Sequence, residues 1–131
     1  MENQFKKVLF ISGWFNIIAG TCCILFFKMF FKTFYNIVYN PKIYGSLLLN
    51  HILMFAFIAI IGVGLIKSSK NIMHGKILIQ ISAYGKLYAA LTFVISIFKD
   101  HYTYLFFVPA IIDGALAMYF LYSLKKLSVN E

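Results

Sequence analysis

Four long stretches of this chain are apolar on every side, with no two-residue alternation: Val8 to Phe27, Gly45 to Ile66, Ile77 to Phe98 and Tyr104 to Leu124. Each supplies the roughly 20 residues that a helix needs to cross about 30 Å of hydrocarbon. Backbone groups inside lipid must be paired within their own segment, so such runs form helices, and the weak alternation excludes a barrel. The pattern predicts an all-α fold, a four-transmembrane-helix bundle forming one integral membrane domain over residues 1–131.

The joints between these runs carry their own pattern. The longest, Lys28 to Tyr44, places Phe30, Phe31, Phe34, Tyr35, Val38 and Tyr39 at spacings near three and four. That spacing predicts a short interfacial helix between the first two spans, lying on the outer leaflet and ended by Asn40-Pro41. An ordinary aromatic belt without a binding role is the plainer alternative. The first run follows Lys6 and Lys7 as a signal peptide would, but it is longer than a signal core and no small-residue cleavage pattern follows. It is expected to stay as a span.

Composition agrees with this reading and narrows it. Of 131 residues 62% are hydrophobic, 19% aromatic and 12% charged, and the mean hydropathy is +0.84. A soluble domain of this size still exposes about a third of its unfolded-chain surface, which four acidic and twelve basic residues cannot cover. A soluble enzyme and a disordered tail are both excluded. The net charge of +8 would point to nucleic acid in a soluble protein, but here the basic residues sit in pairs between apolar runs. All twelve are Lys, so no bidentate phosphate fork is present.

The lysines also give an orientation. Lys6, Lys7, Lys67, Lys70, Lys76, Lys125 and Lys126 fall on one side, and Lys28, Lys32, Lys42 and Lys99 on the other. The excess on the first side predicts that both termini are cytoplasmic.

One lysine and one aspartate fall inside spans. Lys86 lies near the middle of the third span and Asp113 near the middle of the fourth, reached from opposite sides. A short connection from Lys99 to Thr103 makes these spans neighbours, so each charge is the natural partner of the other. An unpartnered charge there costs from about 2.5 to over 10 kcal/mol. Lys86 shares its helix face with Ser82, Ala83, Ala89 and Ala90, and Asp113 shares its face with Pro109, Ala110 and Ala117. Small residues let helices approach closely, and Pro109 opens the backbone one turn before the acid. Two roles are open: a proton-exchanging or ligand-binding group, or a clasp that holds two helices in register.

Asn16 lies on a stripe with Ser12, Gly13, Ala19, Gly20 and Cys23 that is expected to face the interior. Asn50 and His51, near the outer end of the second span, form a secondary polar pair. His51, His74 and His101 have no metal-ligand spacing, so no metal site is expected. Cys22 and Cys23 are adjacent, closer than an ordinary disulfide allows, and read as apolar packing groups. No Ser-His-Asp set, phosphate loop or carboxylate pair is present, and no catalytic residue is assigned.

Ala83-Tyr84-Gly85-Lys86-Leu87 and Ile112-Asp113-Gly114-Ala115-Leu116, preceded by Gly62-Val63-Gly64-Leu65, resemble the small bacterial DoxX-like four-helix membrane proteins. The resemblance implies an integral bundle of the bacterial inner membrane. Some members of that broader family are associated with quinone-linked or thiol-linked redox assemblies. Three functions are then open: a non-catalytic bundle that binds a lipid or quinone, or serves as a subunit or homo-oligomer; a small proton-coupled transporter; or a quinone-docking subunit of a redox system. Polar residues gathered near the midplane, with Phe106, Phe107 and Phe120 above and below, predict that the faces around Asn16, Lys86 and Asp113 converge on one enclosed interior site, open to a lateral or outer-leaflet amphipathic ligand rather than forming a pore.

Overall fold

Helix α1 spans Glu2–Leu25, and a single residue, Phe26 (φ −106°, ψ 32°), bends it into α2, Phe27–Phe34. The computed structural model describes residues 1–38, 40–98 and 104–128. Asn36 then takes a left-handed conformation with φ 54°, which asparagine tolerates better than most residues. Asn40 accepts a hydrogen bond from the Lys42 amide and Pro41 occupies the first turn, so this pair opens α3, Pro41–Lys70, rather than closing the interfacial helix. One residue, Asn71, separates α3 from α4, Ile72–Phe98. A 3₁₀ turn at Tyr104–Phe106 leads into α5, Phe107–Ser128. The expected connection Lys99 to Thr103 lies outside the described residues.

Four of these segments are long and apolar enough to cross a membrane: Glu2–Leu25, Pro41–Lys70, Ile72–Phe98 and Tyr104–Ser128. The chain is an all-α integral membrane protein. Its helices outrun the apolar stretches, mostly toward the side that carries both termini. Hydropathy marks only the hydrocarbon layer, whereas helical hydrogen bonding continues into the headgroup region where Lys67 and Lys70 stand exposed. Outward-facing Ile11, Ile18, Ile60, Ile77 and Ile111 form the surface left for lipid.

Packing is closest within two helix pairs, α1 with α3 and α4 with α5. Small residues set the first pair. A Cβ built on Gly13 would lie 2.6 Å from the Gly62 carbonyl oxygen, and one on Gly62 would lie 2.5 Å from that of Gly13. Gly20 meets the Phe55 carbonyl oxygen in the same way, at 2.6 Å. Helices without a hydrophobic drive between them associate through such close backbone approach.

The two pairs repeat one plan. The order of buried and exposed positions over residues 11–24 of α1 recurs position for position over 81–94 of α4, and that over 57–70 of α3 recurs over 112–125 of α5. Ile11-Ser12 corresponds to Ile81-Ser82, Gly13 to Ala83, Ala19 to Ala89, and Ser68 to Ser123. Both hairpins run in the same sense, the arrangement of a parallel repeat about an axis along the membrane normal. Under this correspondence Asn16 stands where Lys86 stands, and Ile58 stands where Asp113 stands.

Three layers stack along the bundle. Near the termini Phe5, Leu9, Leu65, Ile72, Ile79, Phe120 and Leu124 form a dry core, with Phe5 edge-on to Phe120 at 6.0 Å. At the opposite end the bend after α1 carries Phe30 and Phe31 inward, and with Phe55, Phe93 and Phe106 they close the bundle as an aromatic cap. The polar groups lie between.

Candidate functional site

Three helices deliver one polar side chain each to the middle layer. Lys86 of α4 donates to Asp113 Oδ1 of α5 at 2.6 Å and to Asn16 Oδ1 of α1 at 3.3 Å. The register follows from the local sequence. On α4, Ser82, Ala83, Lys86 and Ala90 fall on one buried face, and on α5 Ala110 and Ala117 flank the Asp113 stripe on the side toward it. A Cβ on Gly114 would sit 3.8 Å from that of Ala90, so the two backbones come close where the charges meet.

The two partners are buried unequally: the lysine side chain is 10% exposed and the aspartate 21%. An ammonium has three donors and a carboxylate two acceptor oxygens. Among the described residues Lys86 uses two donors and Asp113 uses Oδ1 alone. One N–H and one carboxylate oxygen therefore remain at the same place. Ser82 Oγ, a turn from Lys86, is buried and finds no partner among the described residues.

The seam between α1 and α5 holds an apolar crevice of about 240 Å³, lined by Val8, Ile11, Ser12, Phe15, Ile112 and Leu116 and by none of the three cluster residues. Phe15 and Ile112 are chain neighbours of Asn16 and Asp113, but on a helix that step turns about 100° away. The crevice exists because the α1 and α5 backbones approach each other at few points, whereas the corresponding seam between α3 and α4 is tied by the one-residue link at Asn71 and plugged where Leu78 fits against Gly64.

The secondary pair separates. His51 is buried in the aromatic cap, where its Nε2–H donates to the Cys23 carbonyl at 2.9 Å and its ring lies 4.9, 5.1 and 4.6 Å from those of Phe30, Phe31 and Phe55. Its Nδ1 has no partner among the described residues. Asn50 is exposed on the outer surface of α3, because one residue along a helix turns about 100° away. Cys22 is exposed and Cys23 half-buried, both as free thiols. Among the described residues no three His, Cys, Asp or Glu side chains gather as a metal site would require; His101 lies outside them.

Sequence reasoning missed the crevice and the repeat. The repeat left a signal in Ile11-Ser12 against Ile81-Ser82, but Asn against Lys and Ile against Asp at the polar positions obscure it. The crevice left none, since it is a gap between helices that are far apart in the chain. Comparison with family models, with curated proteins and with solved structures gives no match.

Proposed function

We propose that this protein is a small non-catalytic integral membrane protein that holds an amphipathic molecule, a lipid or a quinone-like compound, in its bundle. It acts alone, as a homo-oligomer or as a subunit of a membrane complex. The observation that carries this reading is the Asn16–Lys86–Asp113 cluster inside the bundle, drawn from the same helices α1 and α5 whose seam holds an apolar crevice. Buried ion pairs add little net stability compared with apolar packing, so a charged pair with unused hydrogen-bonding capacity is better accounted for by a bound molecule. The expected resemblance to DoxX-like proteins fits the same layout. Organic extraction of the purified protein, followed by mass spectrometry, should return one amphiphile in near-stoichiometric amount. Ile112→Trp, which fills the crevice, should remove it. Recovery of bulk lipid alone, unchanged by that substitution, would overturn the reading.

Proton-coupled transport is a second reading, favoured by one observation: ionisable groups at the interface of two parallel repeats are where transporters place their coupling sites. Proteoliposomes that acidify on addition of a substrate gradient, and cease to do so in Asp113→Asn, would select it.

The lysine excess supports termini in the cytoplasm of a bacterial inner membrane. In a variant lacking Cys22 and Cys23, Ser128→Cys should resist a membrane-impermeant maleimide in intact cells and react after permeabilisation. Labelling of intact cells would reverse the orientation.

A further inference from the structure

We infer that the outward face of α4 around Tyr84, Gly85 and Tyr88 is the contact surface of a homodimer, against which a second copy of this chain packs its own α4 in parallel. This goes beyond the binding role proposed above and does not rest on it.

Two hydroxyls on that face meet the wrong solvent. Tyr84 and Tyr88 are 60% and 75% exposed on the lipid side of α4, and neither hydroxyl has a partner among the described residues. Both lie within three residues of the middle of the helix, about 4.5 Å along its axis at 1.5 Å per residue. The edge of the hydrocarbon is about 15 Å from its centre, beyond the reach of a tyrosine at that depth. Lipid tails offer no hydrogen bond, and a hydroxyl left among them is unfavourable. Other exposed tyrosines keep to the ends of the bundle, Tyr104 before α5 and Tyr122 beside Lys126, where an amphipathic ring belongs.

Between the two tyrosines stands a glycine without a neighbour. Gly13, Gly20, Gly62, Gly64, Gly75 and Gly114 each bring another helix within 4 Å of the place a Cβ would take. Only Gly45, at the kinked start of α3, and Gly85, the middle residue of α4, have nothing there. A glycine inside a helix weakens it, and in a membrane the close approach of a second backbone is what compensates. At Gly85 that backbone does not come from this chain.

The repeat supplies an internal comparison. The positions of α1 equivalent to Ile81, Tyr84, Gly85 and Tyr88 are Ile11, Trp14, Phe15 and Ile18, all exposed as well. That face is bulky throughout, with the indole nitrogen as its one polar side-chain atom, and it suits lipid. The α4 face, built on the same plan, differs from it by a notch and two hydroxyls. Two equivalent faces meeting one solvent have no reason to part in this way.

These features select a second copy. Copies inserted in the same orientation are related by a two-fold axis along the membrane normal, so α4 meets α4 in parallel and every residue meets its own depth. Gly85 then faces Gly85. Tyrosine side chains lean toward the start of their helix, which carries the Tyr88 ring over the turn at Gly85. A hydroxyl both donates and accepts, so the tyrosines of two copies complete one another without a further group. A different helix would have to bring matching polar groups to that depth, whereas a second copy has them by symmetry.

Disulfide trapping of the full-length protein in native membranes tests this, in a Cys22→Ala/Cys23→Ala background. On oxidation Gly85→Cys should give a species of twice the chain mass, while Phe15→Cys, exposed at the equivalent position of α1, should stay monomeric. In reconstituted bilayers, energy transfer between labelled copies measures the same association. Tyr84→Phe/Tyr88→Phe keeps both rings and should weaken it about tenfold, the worth of two interhelical hydrogen bonds in lipid. Gly85→Leu should abolish it and leave the helical content of the diluted protein unchanged, because nothing of this chain lies near that position. Trapping at Gly85→Cys no greater than at Phe15→Cys, or energy transfer unchanged in Gly85→Leu, would overturn the interface. Trapping of a different protein, identified by mass spectrometry, would give the face to another subunit and overturn the second copy. Association unchanged by the loss of both hydroxyls would overturn the pairing that selects it.

Discussion

Gly62→Val should be among the most destabilising single substitutions in this protein, at about 3 kcal/mol or more, or should prevent folding outright. The first added carbon would lie 2.5 Å from the Gly13 carbonyl oxygen, with Ile17 and Asn16 at 2.9 and 3.0 Å. The Ile17 side chain can rotate away, but the Asn16 Cβ and a carbonyl fixed in a helix cannot. Relief therefore requires α1 and α3 to separate along their closest pairing. Gly13→Val should act alike, since the two glycines face one another's backbone, and combining the substitutions should bring no rescue. Gly85→Ala provides the contrast: nothing lies within 4 Å of its Cβ position, and replacing a mid-helix glycine should leave stability unchanged or raise it by about 0.5–1 kcal/mol. Thermal unfolding of the purified variants in detergent measures both. A Gly62→Val protein that unfolds with the wild type would mean that α1 and α3 do not pack as described.

That contrast shows how far the sequence could be read. Gly13, Gly62 and Gly85 are alike as letters, each a glycine inside an apolar run, and only the packing tells which is in contact with a neighbouring backbone. The spans were legible because lipid imposes one requirement on every position of a crossing helix. The meeting of Lys86 with Asp113 was legible because two midplane charges on consecutive antiparallel helices have few other partners, and the small residues around Asn16 marked its inward face. The interfacial segment was legible only in kind. Its aromatic spacing runs to Tyr39, but the helix stops at Phe34, and Asn40-Pro41 serves the following helix instead. Local sequence gives the turn residues without saying which neighbour they serve. Asn50 and His51 were grouped by adjacency in the chain, and helical geometry parts adjacent residues.

Lys86→Met and Asp113→Leu should each destabilise the protein by about 3–5 kcal/mol, whereas the double variant should lose far less than their sum. Each single change strands a charge at membrane depth, and the double change removes both charges into side chains of similar volume. The two losses should differ. Asp113→Leu leaves an ammonium that is nine-tenths buried with one neutral partner, Asn16 Oδ1 at 3.3 Å. Lys86→Met leaves a carboxylate that is twice as exposed, so it should be the milder of the pair. The order would reverse if the lysine freed itself by extending its stem toward a headgroup region, but Lys86 is buried on its helix together with Ala83 and Ala90, and the turn toward the termini leads into the core of Ile79 and Phe120. Thermal unfolding in detergent across wild type, both single variants and the double variant gives the coupling free energy directly. Additive losses would show that the two charges do not share a site.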